Sequence, residues 1–315
     1  MIVPLPTTSA VAFVDSQRGW LGGRVGLFST TDGHRFRLVF RAPIVGIQAL
    51  DKKHAWALTG DGFVLRTTDG YGWTRLGAAH LFSVEFVDAR NGFALTRDGV
   101  VVRSTDGGRS WPQLRTPGLM QAQCFSSTRD GWVARSGAVW ATHDGGTKWT
   151  RTRLGNKLLG QTQPALQCSG RAVWALFAGG AAAGSQGYEV FRSLDGGRSW
   201  RAILAGLVST RLPRISNYPG PFAALGAGRA VFEGSCSPCG NGTLTFVGTI
   251  DGGRTFSRVT PFDGYFPGPI SFVDARNGWL LADPVRGKRR TVLFRTRDGG
   301  RHWRRVATFT GLVPS

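Results

Sequence analysis

The chain has 315 residues, 46 of them Gly, and its 39 Lys and Arg against 19 Asp and Glu give a formal charge of +20. This charge favours acidic partners, namely nucleic acid, an anionic lipid surface or an acidic protein segment. The sequence contains no run of 18 apolar residues, which excludes a hydrophobic membrane-spanning helix.

A strand–turn–strand motif opens each repeat of the chain. It reads Phe13-Val-Asp-Ser-Gln-Arg-Gly-Trp20 in the first copy and Phe272-Val-Asp-Ala-Arg-Asn-Gly-Trp279 in the last. The other copies end at Trp56, Phe93, Trp132, Trp174 and Phe232. Two apolar runs around a polar turn predict two antiparallel strands. A third apolar run follows, such as 63–67 in the second repeat, and predicts a third strand.

A second motif follows the third strand and occurs seven times, as in Arg103-Ser-Thr-Asp-Gly-Gly-Arg-Ser-Trp111. Its Asp accepts hydrogen bonds from the N–H groups just after it, and its Gly supplies the positive φ of a tight turn. Its aromatic residue begins a fourth strand. We call this turn the Asp box and predict that its aspartates are structural rather than catalytic. They are Asp32, Asp69, Asp106, Asp144, Asp195, Asp251 and Asp298.

Four short antiparallel strands in each of seven repeats predict an all-β fold, a single seven-bladed β-propeller of four-stranded blades. We expect one domain over residues 1–315, with repeats at about 10–40, 46–78, 82–115, 121–154, 164–204, 222–260 and 269–308. Ten of the 11 Trp residues fall at the two repeated aromatic positions, Trp140 being the exception. This regularity indicates that they pack between blades.

The two motifs resemble those of the photosystem II stability/assembly factor propellers, part of a broader class with bacterial-neuraminidase (Asp-box) repeats. The resemblance covers about residues 10–308. It implies a propeller that binds partner proteins, carries a basic patch and does not catalyse. The fold alone does not decide the function, since propellers with Asp boxes also include sialidases, xyloglucanases and sorting receptors.

A ring of cations is predicted on the face that carries the Asp boxes. The first strand of a propeller blade is innermost, so the first turn of every repeat lies near the central channel. Six repeats have Lys or Arg three residues before the aromatic, and the first has Arg18 two residues before it. We call these residues the basic collar and predict that they bind an acidic protein segment. They are Arg18, Lys53, Arg90, Arg129, Arg171, Arg229 and Arg276. The alternative is that each pairs with a local carboxylate, such as Asp15, Asp88 or Asp274.

The opposite face, which we call the loop face, suggests an alternative function. Its loops are longer in the last three repeats, at 178–187, 234–242 and 283–290, and long loops on a rigid scaffold often form binding sites. A glycan-binding or glycoside-hydrolase/sialidase-like propeller would use this face. Its candidate carboxylates are Asp61, Asp98, Asp263 and Asp283, although Asp61 and Asp98 also fit ordinary turns. We expect no catalytic residue, metal or cofactor.

The four cysteines predict two disulfides and an exported protein. Cys124 and Cys168 lie at similar places in neighbouring repeats, and Cys236 and Cys239 share a Gly-rich loop. A redox pair is the alternative for Cys236 and Cys239, and a zinc site is less well supported because no second pair has matching spacing.

The expected location is the periplasm, the extracellular space or the thylakoid lumen. The start of the sequence lacks the features of a signal peptide, so we expect that any presequence is not present in this chain. The expected partner is an acidic protein segment or a membrane-protein assembly intermediate, with a glycan as the alternative. No nucleic-acid recognition motif is visible, so specific nucleic-acid binding is not expected. We expect a monomer.

Overall fold

The computed structural model describes residues 10–78, 80–154, 162–206, 211–236, 242–286 and 290–310. Within these ranges the chain forms 28 strands, and no helix could cross a membrane. Blades 1 to 3 contain β1 (Ala10–Phe13), β2 (Gly19–Gly22), β3 (Leu27–Thr30), β4 (Arg37–Phe40), β5 (Ile44–Ala49), β6 (Ala55–Thr59), β7 (Phe63–Thr67), β8 (Thr74–Ala78), β9 (Leu81–Phe86), β10 (Gly92–Thr96) and β11 (Val101–Ser104). Blades 4 and 5 contain β12 (Ala122–Phe125), β13 (Gly131–Arg135), β14 (Ala138–Thr142), β15 (Thr150–Arg153), β16 (Gln163–Ser169), β17 (Ala172–Ala182), β18 (Ser185–Ser193) and β19 (Arg201–Ala205). Blades 6 and 7 contain β20 (Tyr218–Ala224), β21 (Ala230–Cys236), β22 (Thr243–Thr249), β23 (Ser257–Phe262), β24 (Tyr265–Phe266), β25 (Ile270–Phe272), β26 (Gly278–Pro284), β27 (Arg290–Thr296) and β28 (Arg304–Thr310).

These strands form seven antiparallel sheets in chain order, which confirms the predicted seven-bladed all-β propeller. Five blades have the predicted four strands, and blade 7 has a fifth, β24, paired with the end of β26. Blade 3 has three strands, and its fourth position holds only a single bridge between Val102 and Gln113. The preceding Pro112 accepts a bond from Arg103 N–H at 2.9 Å but has no N–H to donate, so the outer ladder does not extend through it.

The hydrophobic core consists of seven clusters, each at a contact between two neighbouring blades. The aromatic residue of the second strand is the largest member in most of them. Trp20, Trp56, Trp132, Trp174 and Trp279 are all fully buried. The largest buried aromatic side chains therefore pack between blades.

The ring closes by side-chain packing between blades 7 and 1. Phe13 stacks on Trp279 with their ring centroids 3.9 Å apart, and Phe13 N–H donates to Ser271 Oγ at 3.2 Å. In the described part of the chain, each of these two blades is built from one continuous segment, and no blade combines strands from both ends. The closure therefore depends on the same contacts that join the other blades.

Candidate functional site

The first turns and the Asp boxes lie together on one face and are hydrogen-bonded to each other. The first Gly of an Asp box donates its N–H to the carbonyl oxygen of a collar residue in the same blade. The bonds are Gly107 to Arg90 at 2.8 Å, Gly145 to Arg129 at 2.9 Å, Gly196 to Arg171 at 3.0 Å and Gly299 to Arg276 at 2.9 Å. The backbone of the collar is thus held by the Asp boxes. Among these four residues, Arg171 also bonds its Asp box through the side chain, which donates to Asp195 O at 3.1 Å.

Each Asp box is a hydrogen-bonded turn around its carboxylate. In blade 5, Ser193 Oγ donates to Asp195 at 2.8 Å and accepts from Gly197 N–H at 2.8 Å. Donation from the Ser199 hydroxyl and N–H to the Asp195 carboxylate holds its pKa well below the ordinary value. The carboxylate is therefore ionised and committed to the turn, which agrees with a structural role.

Six of the seven collar side chains are exposed, namely those of Lys53, Arg90, Arg129, Arg171, Arg229 and Arg276. The nearby carboxylates accept backbone N–H groups instead of forming ion pairs with them. Asp88 accepts from Arg90 N–H and Asp274 from Arg276 N–H, each at 2.7 Å. No salt bridge among the described residues involves a collar side chain. The positive charge of the collar is thus not neutralised by direct ion pairs.

Arg18 differs from the rest of the collar because its side chain is buried, with 5% of its surface exposed. The guanidinium lies over the rings of Trp20 and Tyr71, 5.0 and 4.5 Å from their centroids, and donates to the carbonyl of Gly70. Arg18 therefore fastens blade 1 to blade 2 and does not contribute to the exposed surface. Its sequence position, one residue later than the other collar cations, accounts for this difference.

A second set of arginines, which the sequence reasoning missed, lies over buried aromatic residues, and two of them join neighbouring blades. They stand three residues before the Asp of their Asp box and lie over the aromatic residue of the second strand. The pairs are Arg66 with Trp56, Arg103 with Phe93, Arg192 with Trp174 and Arg295 with Trp279, at 5.2 to 5.9 Å. Arg66 donates to Ala89 O at 2.9 Å, and Arg192 donates to Gly252 O, each in the following blade. The recurrence of Arg at this position in four of seven repeats is the signal that could have identified them.

The innermost strands surround the central channel, where a cavity of about 330 Å³ is lined by Gln48, Glu85, Gln123 and Gln167. Polar side chains there join the first strand of one blade to the backbone of the next. The joined pairs are Gln48 with Phe86 at 2.8 Å, Glu85 with Phe125 at 2.9 Å, Gln167 with Ala224 at 2.7 Å and Ser271 with Phe13 at 3.2 Å. The channel wall is thus a ring of similar polar bridges.

A disulfide replaces this polar bridge between blades 4 and 5. Cys124 occupies the bridging position of blade 4 and is bonded to Cys168 of blade 5, as predicted, with a Cα–Cα distance of 6.0 Å. Glu85 lies beside the two sulfurs, but sulfurs bonded to each other offer no thiolate to a metal. Cys236 is also disulfide-bonded, and its predicted partner Cys239 lies outside the described residues.

Glu85→Gln is expected to raise the free energy of unfolding at pH 8 by about 2 kcal/mol and to change it little at pH 4. Burial raises the pKa of Glu85 from 4.5 to about 7, so the fold loses stability as pH rises through this range. The shift corresponds to about 3 kcal/mol, and the partial exposure of Glu85 lowers the expected value. Gln keeps an acceptor for Phe125 N–H, as in the bridges made by Gln48 and Gln167. Urea unfolding at the two pH values measures the effect, and equal changes at both would contradict the ionisation argument.

Two of the four loop-face candidates, Asp61 and Asp283, are committed to local structure. Asp61 accepts from the Thr59 hydroxyl and pairs with Arg75 at 3.0 Å. Asp98 and Asp263 are exposed. Burial raises the pKa of Asp283, which accepts a bond from Thr291 Oγ1 at 2.7 Å. Residues 237–241 and 287–289 of the long loops lie outside the described residues.

Tyr188, beside Glu189 on the loop-face side of blade 5, is a structural anchor. Its ring is fully buried, and its hydroxyl oxygen accepts from Ile215 N–H at 2.6 Å and Ser216 N–H at 3.3 Å. Burial, the largest influence, raises the pKa of this hydroxyl. A tyrosine held in this way is not placed as the exposed nucleophile of a sialidase-like site.

Two solved structures have a similar fold. One is YCF48 bound to D1 peptide, with a TM-score of 0.61 and 16% sequence identity over 94% of this chain and 95% of that chain. The other is YCF48 from Cyanidioschyzon merolae, with a TM-score of 0.61 and 14% identity over 94% of this chain and 97% of that chain. At these identities the likeness concerns the fold alone. No protein with a curated description matches this chain.

A sequence match assigns the chain to a family. The family described as photosynthesis system II assembly factor YCF48 matches residues 73–232. This span extends from the Asp-box aromatic of blade 2 to the second strand of blade 6 and covers just over half of the 315 residues. The resemblance inferred from the two repeated motifs is confirmed, and the chain belongs to the photosynthesis system II assembly factor YCF48 family.

Proposed function

We propose that this protein is a non-catalytic assembly scaffold whose basic collar docks an acidic segment of a partner protein. The observation that carries the proposal is the set of six exposed collar cations on one face, whose neighbouring carboxylates accept backbone N–H groups. Like charges held at fixed positions repel each other, and an acidic segment that binds across them relieves this repulsion. Arg18, which is buried between blades, is left out of the proposed surface.

A protein segment is a more fitting partner than a compact small molecule. The collar cations belong to six different blades, so they are distributed around the channel mouth rather than gathered in one pocket. An extended segment can contact several of them at once. A solved structure of similar fold, YCF48 bound to D1 peptide, supports this kind of partner.

An exported location is part of the proposal. The Cys124–Cys168 disulfide joins two blades beside the channel, and such bonds persist in oxidising compartments. The periplasm, the extracellular space and the thylakoid lumen all satisfy this requirement. We propose that the protein acts there as a monomer.

Reversing three collar charges, in the variant Arg90→Glu/Arg129→Glu/Arg276→Glu, is expected to weaken the binding of an acidic peptide about 100-fold at low salt. Each exposed charge contact contributes about 0.5 to 1 kcal/mol, and reversal replaces attraction by repulsion. Fold stability should stay nearly unchanged, because these three residues contact the Asp boxes only through their carbonyl oxygens. Fluorescence anisotropy of a labelled poly-glutamate peptide, at low and high salt, measures the loss.

The matched control is Arg37→Glu/Arg153→Glu/Arg201→Glu, which changes the net charge equally on exposed residues of outer strands. The control should bind the peptide with nearly the affinity of the unchanged protein. Equal losses in both variants would mean that net charge alone drives binding. An unchanged affinity in the collar variant would remove the collar from the proposed function.

A further inference from the structure

The contact between blades 7 and 1 holds a cavity of about 500 Å³ that is distinct from the collar. Its lining includes His34 from the Asp box of blade 1 and Arg295, Arg297, Arg304 and Arg305 from blade 7. These residues belong to the third and fourth strands and to the Asp boxes, so the cavity lies toward the outer part of this face. We call it the seam pocket. None of the collar residues lines it.

The seam pocket exists where the arginine contact between blades is incomplete. Arg66 and Arg192 lie over their aromatic residues and donate to a carbonyl of the following blade. Arg295 lies over Trp279 in the same way and lines the cavity, but it makes no hydrogen bond to a carbonyl of blade 1 among the described residues. At the contact between blades 7 and 1, Arg295 therefore lines a cavity, whereas Arg66 and Arg192 bind the next blade.

The pocket carries an excess of positive charge that its own residues do not balance. Among the described residues, Asp298 is the only carboxylate in its lining, and it already accepts from the Thr296 hydroxyl, from two backbone N–H groups and from the His302 ring. Arg295 stands directly opposite Arg304 in the β27–β28 ladder. Like charges at such positions are destabilising unless an anion lies between them. Burial and the nearby Arg297 both lower the pKa of Arg295.

We infer that the seam pocket binds a tetrahedral oxyanion, most readily a phosphate group, between Arg295, Arg297 and Arg304. The planar guanidinium presents two parallel N–H donors that match phosphate oxygens, and Arg is the side chain best suited to this geometry. The cavity is large enough for a small organic molecule that carries the group. Phosphate can therefore enter as the free anion or as a monoester.

Isothermal titration calorimetry with inorganic phosphate and with phenyl phosphate tests the inference at physiological ionic strength. The unchanged protein should bind at least one of the two at a single site. Arg297→Gln/Arg304→Gln should weaken this binding at least tenfold, because it removes two exposed donors and leaves the stack of Arg295 on Trp279 intact. Tighter binding of phenyl phosphate supports an organic monoester as the ligand, and tighter binding of inorganic phosphate supports the free anion.

The matched control is Arg198→Gln/Arg201→Gln, which removes two exposed cations from the Asp box and outer strand of blade 5. There Arg192 also stands opposite an arginine, Arg201, but donates to Gly252 in the next blade. The control should keep full affinity. Absence of binding to both probes, or an equal loss in both variants, would overturn the inference. Neither result bears on the collar, whose residues are unchanged in both variants.

Discussion

Replacing Cys124 and Cys168 together by Ser is expected to lower the free energy of unfolding by about 4 kcal/mol. The disulfide closes a loop with a sequence separation of 44 residues. The loss of chain entropy on closing a loop of about this length corresponds to about 4 kcal/mol at 25 °C. The bond should thus contribute a large part of the stability of a protein whose blades otherwise meet through non-covalent contacts.

The Cys124–Cys168 disulfide also lies where the contact between blades 4 and 5 lacks an aromatic stack, so its loss should weaken this contact locally. In three other contacts between blades, Phe13, Phe86 and Phe125 start the repeated turn and stack on an aromatic residue of the preceding blade. Cys168 occupies the corresponding place in blade 5, so Trp132 lacks such a stacking partner there. Without the disulfide, blades 4 and 5 would have neither a covalent bridge nor an aromatic stack at this point.

Urea unfolding of the double variant under non-reducing conditions measures the loss. Cys236→Ser is the comparison, because it removes the other predicted bridge, between Cys236 and Cys239, whose short loop contributes less chain entropy. A reducing agent should destabilise the unchanged protein and have a much smaller effect on the double variant. A loss below about 1 kcal/mol in the double variant would contradict the assigned role of the disulfide.

The fold was predictable from the sequence because its determinants lie within short windows. An Asp box encodes its own turn through a hydroxyl, a carboxylate and glycines within a few residues, as Ser104, Asp106 and Gly108 illustrate. Seven such turns, preceded by seven hairpin motifs, leave a propeller as the arrangement that buries the repeated aromatics. Alignment of the repeats places Cys124 and Cys168 at similar positions in neighbouring blades, which predicted the disulfide between them.

Features that depend on contacts between blades were less accessible. Arg18 looked like a member of the exposed collar, yet Tyr71 and Gly70 of the next blade enclose it. The bridging role of Glu85 depends on Phe125, 40 residues later in the chain. In blade 3, a single Pro after the Asp-box aromatic reduced the fourth strand to one bridge. In each case, the decisive partner or constraint lies outside the repeat or motif that the residue itself belongs to.

The contact between blades 2 and 3 offers the sharpest test of aromatic packing. Trp56→Ala is expected to lower the free energy of unfolding by about 5 kcal/mol. Trp56 is fully buried, stacks on Phe86 with centroids 3.8 Å apart, and donates from Nε1 to Gly107 O at 3.1 Å. Truncation of a buried aromatic residue costs about 3–5 kcal/mol, and the lost stack and orphaned carbonyl place this variant at the upper end. Arg66 would also lose the ring beneath its guanidinium.

Trp56→Phe separates the ring stack from the hydrogen bond. Blade 3 has Phe93 at the corresponding position, and it stacks on Phe125 with centroids 3.6 Å apart. The Phe variant should therefore keep a stack on Phe86 and lose only the bond to Gly107 and some volume, at about 1–2 kcal/mol. Thermal and urea unfolding of the two variants measure the difference. If the Phe variant is as unstable as the Ala variant, the hydrogen bond rather than the stack joins these blades. A large difference would mean that the repeated aromatics hold the ring closed chiefly by packing, since Trp279 and Phe13 close the seam with the same stacked geometry.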